Sequence, residues 1–325
     1  MVEERHAVSD RIKDHARTLG FTHVGIARAQ ALDAEHARLL EWLRRGYHGS
    51  MAYMQSRAEE RRDPRLLLDD ARSVISVAYN YFTREAHSDH PSQAKISRYA
   101  WGDDYHNVLR PKMRGLCDFV KTALPGSECL WYVDTGPVMD KAWAVRAGIG
   151  WLGKHTNVIT RDMGSWIFLA EVLTTAELEY DVPIEDFCGS CVRCIEACPT
   201  QAIVEPYAVD SNRCIPYLTI ELKTDSIPES ASMDFHGWIF GCDICQDVCP
   251  WNSFATETSD TSFAPRPHNR NPELEFVMSL GSGEFSKLYR NSPIKRTKQA
   301  GLIRNARAVM EQRKIKNSWQ DNGEK

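Results

Sequence analysis

Eight of the ten cysteines in this 325-residue chain lie between residues 188 and 249, and this grouping constrains the fold more than any other feature. They form two runs with the spacings C-x2-C-x2-C-x3-C-P and C-x2-C-x3-C-P, and one further cysteine lies between the runs. In chain order they are Cys188, Cys191, Cys194, Cys198, Cys214, Cys242, Cys245 and Cys249. Disulfides do not persist in a reducing compartment, so in a cytoplasmic protein thiols spaced this closely predict metal binding.

The first run has the spacing of a two-cluster bacterial ferredoxin, in which three thiolates bind one [4Fe-4S] cluster and the fourth binds its neighbour. Eight thiolates are enough for two such clusters. The crossing rule predicts two ligand sets: Cys188, Cys191, Cys194 and Cys249 for one cluster, and Cys198, Cys214, Cys242 and Cys245 for the other. Structural zinc is the alternative, although zinc sites usually use paired C-x2-C knuckles.

Composition divides the chain into three regions. Residues 1–180 mix helical and strand-like patterns without a regular βαβ repeat. After an acidic linker, Glu177 to Asp186, Cys, Pro and Gly dominate residues 188–251. The last part, residues 256–325, is punctuated by prolines and carries a basic helical stretch. We therefore expect an α+β protein with a mixed α/β domain, a small ferredoxin-like domain and a helical C-terminal region. Hydrophobic periodicity predicts helices over 8–20, 34–45, 105–124 and 138–147, and strands over 21–29, 73–82, 129–133 and 166–173.

The charge distribution is uneven. The net charge of −4 excludes an overall basic nucleic-acid binder. From Lys287 to Lys316, however, the chain has ten Lys or Arg and one acidic residue, which predicts a partner-binding end. No uncharged apolar window long enough for a membrane span or a signal peptide occurs, so we expect a cytoplasmic protein that does not bind a membrane.

The large first region must have a role beyond carrying electrons, because a bare ferredoxin needs only its clusters. We expect it to hold the electron acceptor, either a second cofactor or a substrate. Residues 148–153 match G-x-G-x-x-G, but they follow a predicted helix instead of a strand, which argues against a dinucleotide site. The two remaining cysteines, Cys117 and Cys129, lie among apolar neighbours and are expected to be ordinary core residues.

Several further segments carry a family resemblance. They are Asp134-Thr135-Gly136-Pro137-Val138, the segment 142–148, the glycine-spaced segment 150–154, Tyr217-Leu218-Thr219-Ile220-Glu221 and the segment 241–252. Together with the cysteine runs, they resemble epoxyqueuosine reductases over residues 10 to 310.

This resemblance implies a cobalamin-dependent enzyme with two [4Fe-4S] clusters, which reduces epoxyqueuosine to queuosine at the wobble position of tRNA. Residues 1–180 would form the cobalamin-binding α/β domain, residues 181–255 the ferredoxin-like domain, and residues 256–325 a shortened HEAT-like helical region. The partners implied are tRNA and an external electron donor, and we expect a monomer. The alternatives are a corrinoid enzyme similar to reductive dehalogenases and a ferredoxin-type electron-transfer subunit.

The resemblance also implies a catalytic site. Asp134 would give a proton to the departing epoxide oxygen, with its pKa raised by burial beside the cofactor. From the residues alone, an aspartate before Gly-Pro is more often a helix cap. The positions similar to cobalamin contacts in the family are Arg57, Ser97, Asp134, His155, Val158 and Leu169. The cobalt-ligating pattern D-x-H-x-x-G is absent, because Leu109 follows Asp104-Tyr105-His106 at the glycine position. We therefore expect base-off cobalamin and only a half-buried polar role for His106.

The basic C-terminal region fits tRNA phosphates, because each neutralised phosphate adds salt-dependent affinity. The predicted tRNA contacts are Lys223, Thr224, Lys295, Arg296 and Lys298, with Arg304 and Arg307 close by in the sequence. A solvated helix face is the alternative.

Overall fold

A computed structural model of the chain describes residues 2–228 and 233–323. Its helices are α1 (Val2–Thr18), α2 (Asp33–Arg44), α3 (Tyr53–Ser56), α4 (Ala58–Arg62), α5 (Tyr105–Ala123), α6 (Asp140–Arg146), α7 (Arg193–Glu196), α8 (Ile244–Asp247), α9 (Leu274–Ser279), α10 (Ser282–Leu288) and α11 (Lys298–Gly323). Its strands are β1 (His23–Arg28), β2 (Ser73–Asn80), β3 (Lys95–Ile96), β4 (Cys129–Tyr132), β5 (Trp151–Leu152), β6 (Val158–Ile159), β7 (Ile167–Thr174), β8 (Ile203–Glu205), β9 (Ala208–Val209) and β10 (Trp238–Phe240). In the described ranges no helix is both long enough and apolar enough to cross a bilayer.

The first region is built around a sheet with the strand order β1-β2-β7-β4, in which each neighbouring pair is antiparallel. Side chains alternate between the two faces of a strand. Ile75 and Val77 of β2 therefore join a core with residues of α1 and α5 on one face. Val74 packs with Trp143 of α6 on the other face. The sheet thus separates two cores and carries helices on both faces.

The C-terminal helices do not form a separate core. Leu302 and Ala306 of α11 share one buried cluster with Phe240 of β10 and Trp101. The same cluster includes the segment 215–222, which lies between the two cysteine runs. The cysteine-rich segment, the C-terminal region and the loop around Trp101 are therefore packed as one body.

The structure confirms the α+β class and most of the predicted elements. The main differences lie at element ends. The first helix begins at Val2 instead of residue 8, and α6 begins at Asp140, two residues after the predicted start. The last helix continues to Gly323. Polar and charged residues at these ends give little periodic signal, so end positions are the weakest part of a pattern-based prediction.

Candidate active site

The thiols predicted for one cluster line a single small cavity. Cys188, Cys191, Cys194 and Cys249 surround a space of about 40 Å³. The ring of Trp151 packs edge-on against that of Trp251, at 4.8 Å between centroids, beside this cavity. Lys154 Nζ fixes the loop between the first two thiols by donating to the carbonyl oxygens of Gly189 (2.6 Å) and Cys191 (3.0 Å).

The other four thiols are also neighbours. Burial, then the nearby Cys198, raises the pKa of Cys214 to about 12. Burial, then Cys214 and Cys198, raises the pKa of Cys245, and burial followed by Cys245 and Cys214 raises that of Cys242. Thiols that raise each other's pKa in this way need a cationic centre to be held together as thiolates. Among the described residues, no three His, Cys, Asp or Glu side chains lie close enough together to hold one single metal ion.

A second cavity of about 330 Å³ lies between the cysteine-rich segment and the α/β region. It is lined by Cys242 and by four of the six positions predicted to contact cobalamin, which are Ser97, Asp134, Val158 and Leu169. The cavity shares Tyr105 and Asp134 with a much larger cleft of about 1800 Å³. One predicted thiolate ligand and the predicted acid therefore meet in one continuous space.

Two predicted cobalamin positions lie elsewhere. Arg57 is exposed, forms an ion pair with Glu60 at 3.1 Å and lines only the larger cleft. His155 is buried beside the first set of thiols and lines their cavity instead. Burial lowers the pKa of His155 to about 4, so the imidazole is neutral at pH 7. Its Nδ1 accepts from the backbone N–H of Asn157 in the loop between β5 and β6.

Ser97 connects this cavity to the second cysteine run. Its hydroxyl donates to Asp243 Oδ1 at 2.5 Å, and the backbone N–H of Arg98 donates to Oδ2 of the same carboxylate at 2.8 Å. Gly241, with a positive φ of 68°, allows the close approach: a Cβ there would lie 2.5 Å from Ser97 Cβ. The loop that carries Cys242 therefore packs directly against Ser97, which lines the cavity.

Asp134 lies at the end of β4 with a left-handed backbone, at φ 57°. Its side chain is 49% exposed within the cleft. The helix-cap alternative is wrong, because α6 begins six residues later and the residue before it, Met139, makes no side-chain cap. Burial alone would raise the pKa of Asp134, but His106, Tyr105 and Arg296 outweigh it and the pKa is lowered. In this structure the expectation of a raised pKa is wrong for this reason.

His106 is part of the site, which the sequence analysis missed. Its Nε2 lies 3.5 Å from Asp134 Oδ2, and its Nδ1 lies 2.8 Å from Asp104 Oδ1. Burial opposes protonation, but the two carboxylates outweigh it and raise the pKa of His106 to about 9. The signal available in the sequence was an aspartate two residues before a histidine at a helix start, where both side chains face the same turn.

A buried carboxyl pair also lies beside the site. Glu171 of β7 is fully buried beside Asp140, and Ser76 Oγ donates to Glu171 Oε1 at 3.3 Å. Burial, followed by Asp140, raises the pKa of Glu171 well above its usual value, and burial raises that of Asp140 to about 6. We therefore expect the two carboxyls to share a proton at neutral pH. The sequence signal for this pair was Glu171, a charged residue within the otherwise apolar strand of residues 167–174.

The predicted tRNA contacts lie at the mouth of the cleft or beside it. Lys295 and Arg296 line the cleft, and Lys298 is exposed one turn further on. Arg296 pairs with Glu221 at 2.7 Å and approaches Asp134 at 4.0 Å. It therefore belongs to the site as much as to the basic surface.

The remaining basic and polar positions are partly engaged with the protein itself. Lys223 Nζ donates to the carbonyl oxygens of Ile220 (2.6 Å) and Arg296 (3.3 Å), and Thr224 Oγ1 donates to that of Ser226. Arg304 is only 6% exposed. Its guanidinium donates to the carbonyl oxygens of Leu218, Leu222 and Thr224. The expectation that Arg304 belongs to the basic surface is wrong, because its charge is used to hold the loop that carries Lys223.

Comparison with known proteins identifies the family. Residues 61–135 match the family model described as "Epoxyqueuosine reductase QueG, DUF1730", and residues 187–252 match one described as "4Fe-4S double cluster binding domain". The epoxyqueuosine reductase of Cellulophaga algicola is 46% identical over 303 residues, which cover 93% of this chain and 97% of the relative. The chain belongs to the epoxyqueuosine reductase family. An epoxyqueuosine reductase of Synechocystis is also 46% identical, over an alignment that covers 89% of this chain and 100% of the relative.

Solved epoxyqueuosine reductases share the fold. One structure, which contains an epoxyqueuosine-modified tRNA-Tyr stem loop, matches with a TM-score of 0.87 at 32% identity, covering 94% of this chain and 81% of that chain. The Bacillus subtilis enzyme, described with its catalytic aspartate loop swung out of the active site, matches with a TM-score of 0.86 at 31% identity and the same coverage. These matches confirm the family resemblance, and with it an oxidoreductase with a double [4Fe-4S] cluster-binding domain.

Proposed function

We propose that this epoxyqueuosine reductase reduces epoxyqueuosine to queuosine at the wobble position of tRNA in the cytoplasm. Electrons from an external donor pass through two [4Fe-4S] clusters to a cobalamin. The observation that carries this proposal is the cavity where Cys242, the predicted cobalamin positions and Asp134 meet. It brings a reducing centre, space for a cofactor and a carboxyl group to one place that opens into a large cleft.

The cluster ligands follow from the two groups of neighbouring thiols. Cys188, Cys191, Cys194 and Cys249 would hold the cluster farther from the site, and Cys198, Cys214, Cys242 and Cys245 the cluster beside it. The first set lines its own cavity, and Cys242 of the second set lines the cavity shared with Asp134. Electrons would therefore enter at the first cluster and leave from the second.

The cavity and the cleft fit a cobalamin. Ser97, Val158 and Leu169 would contact it in the cavity, and Arg57 would do so in the cleft. Together these spaces exceed the roughly 300–1,000 Å³ of pockets for drug-sized ligands, as a corrin requires. When bound, cobalamin would supply a cobalt that accepts single electrons from a cluster and acts as a strong reductant. His106 is not available as a cobalt ligand, because its two ring nitrogens face Asp104 and Asp134.

Asp134 would give a proton to the epoxide oxygen. Releasing that oxygen as water consumes two electrons and two protons, so a proton donor must lie beside the reacting atoms. Asp134 Oδ2 lines the shared space and lies within 4.0 Å of two cationic groups, the imidazolium of His106 and the guanidinium of Arg296. Those groups orient the carboxyl group toward the cleft.

The tRNA would bind across the mouth of the cleft. Lys295, Arg296 and Lys298 would meet phosphates, and Lys223 with Thr224 would extend this surface on the neighbouring loop. The exposed lysines lie where the cleft opens, so an anticodon loop held there could place its wobble base inside. A solved relative holds an epoxyqueuosine-modified tRNA-Tyr stem loop, which supports tRNA as the substrate.

The test is conversion of epoxyqueuosine to queuosine by purified protein loaded with both clusters and cobalamin. The protein is mixed with tRNA carrying epoxyqueuosine and a chemical reductant, and the tRNA nucleosides are quantified by mass spectrometry. We expect conversion that requires cobalamin and is lost in Cys242→Ala, which removes a ligand of the cluster beside the cavity. Cobalamin-independent conversion, or none by the fully loaded protein, would overturn the proposal; the second result would favour an electron-transfer subunit.

A further inference from the structure

We propose that Asp104 and His106 form a relay that reloads Asp134 with a proton during each turnover. This inference rests on the proposed function, because it assigns the source of the protons that the reduction consumes. Asp134 would be the catalytic residue that touches the substrate, and His106 and Asp104 would act through it.

The geometry holds the imidazole in one orientation. Asp104 is the N-cap of α5, and its Oδ1 accepts from the backbone N–H of His106 at 3.0 Å and lies 2.8 Å from Nδ1. The ring of Tyr105 stacks on that of His106 at 4.1 Å between centroids, and on that of Phe168 at 4.4 Å. With Nδ1 fixed by Asp104, Nε2 lies 3.5 Å from Asp134 Oδ2, at ion-pair distance, and is buried without a hydrogen bond to any described residue. Asp104 thus holds the imidazole with Nε2 facing Asp134, and shortening this contact to a hydrogen bond would allow the proton to transfer.

The surrounding charges place the proton on the imidazole at neutral pH. His106 faces two carboxylates, Asp104 and Asp134, and these raise its pKa to about 9 against the effect of burial. Tyr105 also interacts with Asp134, and Arg296 approaches the same carboxylate oxygen, Oδ2, at 4.0 Å. Together with His106 they keep the pKa of Asp134 low. The resting pair is therefore an imidazolium beside a carboxylate, not a neutral imidazole beside a carboxylic acid.

This resting state requires a transfer within the pair before Asp134 can act as an acid. The Nε2–H bond of His106 breaks and an O–H bond forms on Asp134 Oδ2. That proton then passes to the epoxide oxygen as its C–O bond breaks, and the carboxylate is regenerated. Nε2 is buried in the resting protein, so His106 regains its proton from water that enters beside Asp134, whose side chain is 49% exposed in the cleft. Because water formation takes two protons, the relay operates twice for each pair of electrons supplied by the external donor.

The test combines two variants with a matched control. His106→Gln keeps an N–H group that can donate to Asp134 but cannot release a proton, and Asp104→Asn removes the charge that supports the imidazolium. His23→Gln is the control, because His23 forms a similar pair with Asp162 at 2.8 Å but lies outside the cleft and both cavities. Single-turnover rates are measured from pH 6 to 10 at equal cluster and cobalamin loading and equal tRNA affinity.

We expect His106→Gln to lower the single-turnover rate about 10²-fold. The wild-type rate should fall above about pH 9, as His106 loses its proton, and Asp104→Asn should move this fall to lower pH by about one pH unit. The control should match the wild type. If His106→Gln reacts at the same single-turnover rate as the wild type, His106 only positions Asp134. If the pH dependence of the rate is the same in Asp104→Asn as in the wild type, the relay is excluded.

A second measurement does not depend on turnover. The histidine ring protons are titrated by NMR in the resting protein, and the His106 signal is assigned by its loss in His106→Gln. We expect its pKa to be about 9 in the wild type and lower in Asp104→Asn. An ordinary pKa near 6.5 would overturn the relay. Absence of conversion by the wild type, with this titration as expected, would instead count against the proposed function.

Discussion

Asp134 places its carboxyl group in the cleft from a left-handed backbone conformation, which few residues other than glycine adopt without strain. Asparagine and aspartate are the side chains that tolerate this conformation best. A substitution to asparagine should therefore leave the backbone and the loop unchanged, and it removes only the acidic proton. This makes Asp134→Asn the sharpest test of the proposed proton donor.

We expect Asp134→Asn to lose roughly 10²–10⁴-fold in turnover, the usual scale for general acid catalysis. Both clusters, cobalamin binding and tRNA affinity should be retained. The measurement is single-turnover nucleoside analysis of the reduced enzyme at equal cobalamin loading. Near wild-type conversion would remove Asp134 from the chemistry and leave it a structural role.

The buried Glu171–Asp140 pair predicts an unusual dependence of stability on pH. Carboxyls with raised pKa stay protonated in the folded state above pH 4, where the unfolded chain has released its protons. Folding then takes up protons, so the free energy of unfolding falls as pH rises from about 4 through the folded-state pKa values. Glu171→Gln replaces the shared proton with a permanent amide donor, and should remove most of this loss.

We compare the free energy of unfolding of Glu171→Gln with that of the wild type at each pH. The difference between them should favour Glu171→Gln by roughly 1–3 kcal/mol more at pH 8 than at pH 5. Urea unfolding followed by circular dichroism at both pH values measures it. Glu128→Gln serves as a control, because Glu128 is exposed at the start of β4. A relative stability that is the same at both pH values would show that the pair does not share a proton.

At the residue scale, the sequence predicted residues whose spacing along the chain is characteristic. It missed residues whose role depends on contacts made only in the folded protein. The eight cysteines could be predicted as cluster ligands because a cluster fixes the spacing of its ligands. Asp134 was predicted as the proton donor through the family resemblance. His106 was assigned only a half-buried role, since its partners Asp104 and Asp134 come together only when the start of α5 packs beside the end of β4. Such pairs leave no periodic pattern in a single sequence.

Among the elements, the central strands were the most predictable part of the fold. β2 and β7 are buried and rich in β-branched residues, so their apolar runs were recognised to within two residues. Their antiparallel pairing was not predicted, because it depends on which strands become neighbours along the folded chain. The short helices α7 and α8 follow from the thiol spacing, which leaves room for one helical turn between ligands.

The loop between the cysteine runs supplies the next prediction. Cys214 lies far from both runs in the sequence, yet its neighbours in the structure are Cys198 and Cys245. We expect the wild type to contain about eight irons and eight acid-labile sulfides per chain, and Cys214→Ala to lose about half of each. Cys117→Ala is the control, because Cys117 is buried in the α1/α5 core and should lose none. Iron and sulfide analysis after anaerobic reconstitution decides the point, and two intact clusters in Cys214→Ala would remove this residue from the ligand set.

At the scale of the whole molecule, the C-terminal region is tied to the site through the loop of residues 218–224. The buried guanidinium of Arg304 holds three carbonyl oxygens of that loop. Asn305 donates to the carbonyl oxygens of Thr219 and Ile239 at 2.8 Å. The sequence predicted a basic helical end, but it could not separate the buried basic residue from the exposed ones. Only the exposed ones are available for tRNA.

The final prediction therefore uses the exposed lysines at the cleft mouth. Lys295 and Lys298 are exposed, whereas Arg296 between them is paired with Glu221 and approaches Asp134, so replacing it would also disturb the site. We expect Lys295→Ala/Lys298→Ala to weaken tRNA binding and to reduce the slope of log K against log salt concentration by about 1.5, because two phosphate contacts release about 0.7–0.9 counterions each. Titrations of labelled tRNA at several salt concentrations measure this slope. Arg114→Ala/Lys121→Ala is the matched control, since it removes the same charge from exposed positions of α5 outside the cleft. Equal slopes for the two double variants would mean that tRNA approaches from another face, and the proposed path of the anticodon loop into the cleft would have to be abandoned.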